Sequence, residues 1–270
     1  DMHVFWATHD VNNIIARKLK YWGADIWLDG SVGSRTAAFF EPYADAPETS
    51  GYLNYTDEQV AGFVARALEH DLCISFHCIG DKATNQAVRM MEQELDKRPD
   101  KRSSHMFRLE HFGFVSQQDI DRAAKIGIVI STQPAFTNTR GGPEKVYNLR
   151  AGDARERPAY PLRRFLDAGL TVGGGSDSDV TPMDSLFGIQ AALHQAYPEN
   201  SITPYEALRM YSIDAAKTCF NDAQKGSLRI GKRGDITVLG KNPLTAGTNE
   251  IADIPVIYTV KDGAVVYKAD

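Results

Sequence analysis

Cysteine is scarce in this 270-residue sequence: Cys73, Cys78 and Cys219 are the only three, an odd number without zinc-finger spacing. That excludes a disulfide framework and a small zinc module, and it leads us to expect free thiols in a reducing, cytoplasmic setting. Long apolar runs are missing as well. Nothing approaches the roughly 18 consecutive apolar residues of a membrane helix, and no basic-then-apolar leader precedes the first apolar segment. Positive charge is not in excess either. A net charge of −5 and a pI near 5.8 remove the electrostatic ground for nucleic acid or an anionic membrane as partner, and favour a small neutral or zwitterionic molecule. There is no internal repeat and no low-complexity tract.

What the sequence does have is a rhythm of short apolar runs followed by amphipathic stretches, the pattern of βα units in a parallel sheet. Six strands are predicted, over residues 2–8, 24–28, 72–77, 106–111, 128–133 and 170–175. Helix starts are marked by Thr56 with Gln59, Ser116 with Asp119, and Thr203 with Glu206. In each pair a hydroxyl can accept from a free backbone N–H of the first turn. Beyond the helix near Thr203 the pattern turns to β: residues 235–239, 256–260 and 264–267, the last two joined by Lys261-Asp262-Gly263, a tight-turn sequence. This divides the chain into an α/β body over residues 1–222 and a small C-terminal β element over 223–270, with the boundary near Asn221–Lys225.

Three strand ends carry metal-ligand side chains. His77 and His111 close their strands, and Asp177 follows the glycine-rich run Val172-Gly173-Gly174-Gly175-Ser176. Sites in parallel α/β proteins are built at strand C-termini. Singly, each has a plainer reading: a strand-end histidine is more often structural, and an aspartate after glycines is usually a turn or cap. Alternation places Cys73 and Ser75 on the face of His77, with Ile74 and Phe76 opposite, as in a strand lining a barrel below a polar site. On the next strand the same rule puts Phe107 and Leu109 with His111. A neutral imidazole pair with a rim carboxylate is chemically sufficient for metal-assisted hydrolysis.

The motifs Leu28-Asp29-Gly30-Ser31-Val32-Gly33-Ser34-Arg35-Thr36-Ala37, His77-Cys78-Ile79-Gly80-Asp81, Arg108-Leu109-Glu110-His111, Ser131-Thr132-Gln133-Pro134 and Gly175-Ser176-Asp177 resemble, in order, the signatures of amidohydrolase family 3. The stretch from Lys225 to Asp235 is similar to the one leading into that superfamily's C-terminal β-sandwich. The resemblance implies an α/β fold: a partial (β/α)8 TIM barrel, strands three to eight, with a small C-terminal β-sandwich element. It implies His77, His111 and Asp177 as ligands of one or two divalent metals, zinc being expected. Asp177 would double as general base, and the substrate would be an amide, a formamide or a related C–N compound. Asp29, Arg35 and Gln133 lie at or just beyond strand ends and are candidates for substrate contact, although Arg35 has an equal reading as a loop-holding ion pair.

Two departures from the family pattern bear on this. The family's His-x-His pair is absent from the seven histidines, so residues 2–8 are assigned as the third barrel strand and the first two strands are expected to lie outside this chain. Asp25 stands where relatives often carry a metal-bridging modified lysine; it is the fourth candidate ligand, but on a shorter arm. An N-terminal segment, a partner chain or a second copy is therefore expected to complete the barrel, and a non-catalytic, incomplete subunit is the alternative reading.

Overall fold

The computed structural model describes residues 3–270, the side chains of residues 24 and 25 aside. Five parallel strands, β1 (Tyr21–Trp27), β2 (Cys73–Cys78), β3 (Met106–His111), β4 (Val129–Thr132) and β5 (Val172–Gly174), form one sheet in the order of the chain. Because the order never reverses, each crossover of the usual right hand lays its helix on the same face. That face is apolar: Ile74 and Phe76 of β2, with Phe107 and Leu109 of β3, pack against Val60 and Val64 of the helix Asp57–Glu69 and Val88 and Met91 of the helix Asp81–Asp96. The opposite face carries Ser75, Arg108 and Glu110. Its lower end is crossed by the segment after the helix Ile213–Thr218: the Tyr21 hydroxyl donates to the Cys219 carbonyl at 2.9 Å and Arg108 Nη1 to the Thr218 carbonyl at 3.2 Å.

The predicted strand over residues 2–8 is not a strand among the described residues. Residue 2 lies outside them, and of the rest only Trp6 bridges β1, at Trp22. The reason lies in β1, whose register against β2 shifts between Gly23 and Ile26. Gly23 has φ +96°, and a Cβ there would meet the Ser75 carbonyl oxygen at 2.1 Å. The bend takes the outer edge of β1 out of line, so a ladder begun at Trp6 cannot continue.

The helix-start predictions are met in detail. Thr56 with Gln59 and Thr203 with Glu206 form reciprocal capping boxes. Ser116 accepts from the Asp119 N–H, but Asp119 turns to the Ser116 hydroxyl and to Asn85 instead of closing the box. At the C-terminus β6 (Ile236–Leu239), β7 (Val256–Lys261) and β8 (Ala264–Lys268) form an antiparallel sheet, with Asp262 (φ +50°) and Gly263 (φ +81°) making the hairpin turn. Among the described residues this is a single layer; no second sheet faces it.

A second, separate core lies above the C-terminal strand ends. Phe39 and Tyr43 from the long connection after β1 pack there with Phe114, Phe136, Tyr147 and Tyr160. Of the aromatic residues in that connection, Phe40 and Tyr52 stay exposed.

Candidate active site

β2 obeys its alternation. Ser75 faces inward and donates to Glu110 Oε1 at 3.0 Å, and His77, two residues on, reaches the top of the same face, buried and stacked on Trp27 at 5.1 Å between centroids. β3 alternates as the sequence requires up to Glu110: Phe107 and Leu109 point out to the helices while Arg108 and Glu110 point in. His111 should then point out. It does not, because the backbone leaves the extended region there: His111 has φ +66° and Phe112 φ +50°. A non-glycine residue in that region costs on the order of 1 kcal/mol or more. The turn brings the His111 ring to 4.6 Å from that of His77, edge to face.

Each imidazole has an oxygen at its Nδ1. His111 Nδ1 is 2.7 Å from Gln133 Oε1, and His77 Nδ1 is 3.4 Å from Asp29 Oδ1, close but beyond a good hydrogen bond. With the carbonyl of Gln133 accepting, the His111 proton sits on Nδ1 and leaves Nε2 with its lone pair. Burial, and next the neighbouring His77, push the His111 pKa down, which keeps the ring neutral and able to ligate.

The other predicted residues fall as follows. Asp177 (φ +51°) is exposed on the pocket rim. Gln133 is buried beside His111 and also lines the pocket. Asp29 is completely buried, and its oxygens accept from the backbone N–H groups of Ala38 (2.9 Å), Ile79 (3.0 Å) and Gly80 (2.7 Å). Its oxygens are thus committed to the protein's own backbone. Arg35 points away and pairs with Asp45 through two hydrogen bonds, of 3.1 and 2.8 Å. The side chain of Asp25 lies outside the described residues.

His77, His111, Gln133 and Asp177 line a cavity of about 600 Å³ walled also by Trp27, Arg108, Glu110, Phe136, Arg140 and Tyr147. Arg108 Nε donates to Glu110 Oε1 at 2.6 Å. Burial opposes both charges, but each partner outweighs it for the other, so the Arg108 pKa is raised and that of Glu110 lowered, and the pair stays ionised. Burial pushes the Tyr147 phenol up to about 12, so it remains a donor. The i, i+2 spacing of Arg108 and Glu110 made their common face readable in the sequence. Nothing in the sequence marked Arg140 or Tyr147, which stand on short helices, Pro134–Arg140 and Val146–Ala151, placed by tertiary packing.

The donor chemistry suits a metal as a partial set: two adjacent imidazoles, each with an oxygen at the far ring nitrogen, is how metal-bound histidines are usually held. Among the described residues, no group of three or more His, Cys, Asp or Glu side chains is gathered closely enough to hold a metal ion. Nor, among them, is any helix long and apolar enough to cross a membrane.

A singly ordered parallel sheet whose polar face ends in paired histidines defines a class of α/β protein with its site at the strand C-termini. Residues 3–267 match the model of the amidohydrolase family, and the chain belongs to that family, in its family 3 branch. It is 30% identical over 260 residues, 93% of this chain and 48% of the relative, to the putative amidohydrolase YtcJ of Bacillus subtilis. It is 27% identical over 222 residues, 79% of this chain and 40% of the relative, to the N-substituted formamide deformylase of Arthrobacter pascens. The structure of an uncharacterized metal-dependent hydrolase from Pyrococcus furiosus superposes with a TM-score of 0.77 at 27% identity, over 90% of this chain and 52% of that one. The chain thus spans about half the length of these relatives.

Proposed function

We propose that this chain supplies the larger part of the active site of a metal-dependent hydrolase acting on non-peptide carbon–nitrogen bonds, of the amide or formamide type. The observation that carries the reading is the His77–His111 pair, with its rings 4.6 Å apart and an oxygen at each Nδ1. The five described strands, with the segment around Trp6, correspond in this reading to strands three to eight of a (β/α)8 barrel. Residues 1–222 form the barrel domain, and 223–270 belong to a sandwich domain. Family membership supports it, as do the names of the relatives, a formamide deformylase and a metal-dependent hydrolase among them.

His77 and His111 would hold a divalent metal, zinc being the choice that imidazole donors favour. Bound there, the metal supplies Lewis acidity and an acidified water. The chain's own groups do the rest. Asp177 at the rim takes the proton of the attacking water on its carboxylate and returns it to the departing nitrogen. Gln133 fixes the His111 ring, Trp27 stacks on that of His77, and Trp27 and Phe136 shield the pair from bulk water. Two imidazoles and a rim carboxylate are too few to close a stable site, so the remaining ligands come from an N-terminal segment, a partner chain or a second copy.

The test is elemental analysis of the protein carrying its complete natural chain, with hydrolysis assays on N-substituted formamides and N-acyl amines. About one zinc per chain, lost together with activity in both His77→Ala and His111→Ala, is expected. A metal-free, inactive full-length protein would instead support the non-catalytic reading, which the missing His-x-His pair and Asp25 in place of the bridging lysine motivate.

A further inference from the structure

The rim loop that carries Asp177 has little of its own to hold it. Of residues 177–183 only Thr181 is buried. The Val180 N–H donates to the Asp177 carbonyl at 2.7 Å and the Thr181 hydroxyl to the Ser176 carbonyl, so both bonds close the loop on itself. Among the described residues, one hydrogen bond reaches residues 177–183 from outside the segment 176–184: Arg140 Nη2 donates to the Val180 carbonyl at 3.0 Å. A segment with so few buried contacts opens readily, and a single charged donor then sets much of its order. Arg140 ends the helix Pro134–Arg140, and the other end of that helix serves His111. Gln133, its cap residue, lies 2.7 Å from His111 Nδ1, and Phe136 packs nearly parallel to the His111 ring at 5.7 Å. The Arg140 guanidinium rests over that same phenyl ring, 5.1 Å from its centroid. Its Nη1 is closed off from solvent and has no acceptor, so the group acts on the protein itself and not on a ligand. The helix is also fixed as a body. Gln195 Nε2 donates to the Pro134 carbonyl at 2.9 Å and Asn138 Nδ2 to the His194 carbonyl at 2.7 Å, both just past the helix Ser185–Leu193 that follows the Asp177 loop.

We propose that this helix is a strut between the two sides of the site and that Arg140 is a positioning residue: by gripping the Val180 carbonyl it holds Asp177 at a set distance from His111. The role rests on the hydrolase reading above, which gives Asp177 its proton transfer. Seven helical residues rise about 10 Å, a short and stiff link from the imidazole to the loop. A misplacement of about 1 Å can slow a reaction about a hundredfold, so a loop freed at Val180 leaves the carboxylate present but poorly aimed. Lysine at position 140 can donate to the same carbonyl but lacks the planar group that lies on Phe136, so it replaces arginine in part.

The test makes Arg140→Met and Arg140→Lys in the protein with its complete natural chain and takes two measurements. Amide hydrogen exchange, read on the metal-free protein, should be about tenfold or more faster over residues 177–181 in Arg140→Met, as loss of a charge-assisted hydrogen bond implies, with β3 unchanged. Steady-state hydrolysis of N-substituted formamides and N-acyl amines should show kcat lower by about tenfold or more with KM nearly unchanged, because binding survives while the proton transfer is misaligned. Arg140→Lys should recover part of both, and zinc content and circular dichroism should match wild type in each variant. If Arg140→Met does not fold, Arg140→Lys carries the same two measurements, with a smaller change expected in each. Unchanged exchange over residues 177–181, unchanged kcat, or a loss carried by KM overturns the proposal and leaves the hydrolase reading standing. A wild-type protein that hydrolyses none of these amides removes the hydrolase reading, and the positioning role falls with it.

Discussion

Replacing Asp29 by alanine would remove one side chain and orphan three backbone donors. The N–H groups of Ala38, Ile79 and Gly80 all end on its oxygens, at 2.7–3.0 Å, and the side chain is entirely buried, so water cannot substitute. An unsatisfied buried donor costs roughly 1–3 kcal/mol. The three share one acceptor and relax together, so the total expected for Asp29→Ala is about 3–5 kcal/mol, a large part of the stability of an ordinary domain. Asp29→Asn keeps one acceptor oxygen but turns an NH2 toward at least one N–H, and should cost about 2 kcal/mol. Urea unfolding gives both values. Hydrogen exchange supplies a local check: the amides of Ala38, Ile79 and Gly80 should exchange faster in Asp29→Asn by more than the global loss explains. A loss under about 1 kcal/mol for Asp29→Ala would refute the reasoning, because it would mean that the loop after β1 is not organised around this carboxylate.

Two glycines should respond with opposite signs. A Cβ on Gly80 would lie 2.1 Å from the Ala38 carbonyl oxygen, so Gly80→Ala should lower Tm by several degrees, for an overpacking cost of about 2–3 kcal/mol. Gly62 is exposed within the helix Asp57–Glu69 with nothing near its Cβ position, so Gly62→Ala should raise stability by up to about 1 kcal/mol. The Asp45 pKa is held down to about 2, first by its hydrogen bond from Arg35 and then by Arg150. A depressed carboxylate stabilises the fold above its unfolded pKa near 4 and ceases to do so as pH falls toward 2. The urea midpoints of wild type and Asp45→Asn should therefore differ at pH 5 and draw together by pH 2.5. A gap that widens on acidification would contradict the assignment.

Much of the scaffold could be read from the chain because its signals are local. The apolar runs at 72–77, 106–111, 128–133 and 170–175 match β2 to β5 within two residues at each end, and the capping hydroxyls mark helix starts. The N-terminal strand failed for a non-local reason, since the bend at Gly23 belongs to the neighbour it would have paired with. His111 exposes the limit of period-two reasoning. Alternation pointed it at the helices, and only the left-handed turn at His111 and Phe112 brings it inward. Asp29 and Arg35 were legible as polar residues at a strand end, but the donors to Asp29 lie 9 to 51 positions away and Asp45, the acceptor for Arg35, ten, beyond the reach of any spacing rule.

The two cores have a consequence for how this molecule can change. The layer of Phe39, Tyr43, Phe114 and Tyr160 packs among the loops and adjoins the cavity through Phe136 and Tyr147, whereas the helices pack on the sheet through a different set of side chains. Repacking the aromatic layer reshapes the wall a ligand meets while the strands that aim His77 and His111 keep their own support. The roof can drift toward a new specificity over a foundation that does not have to move.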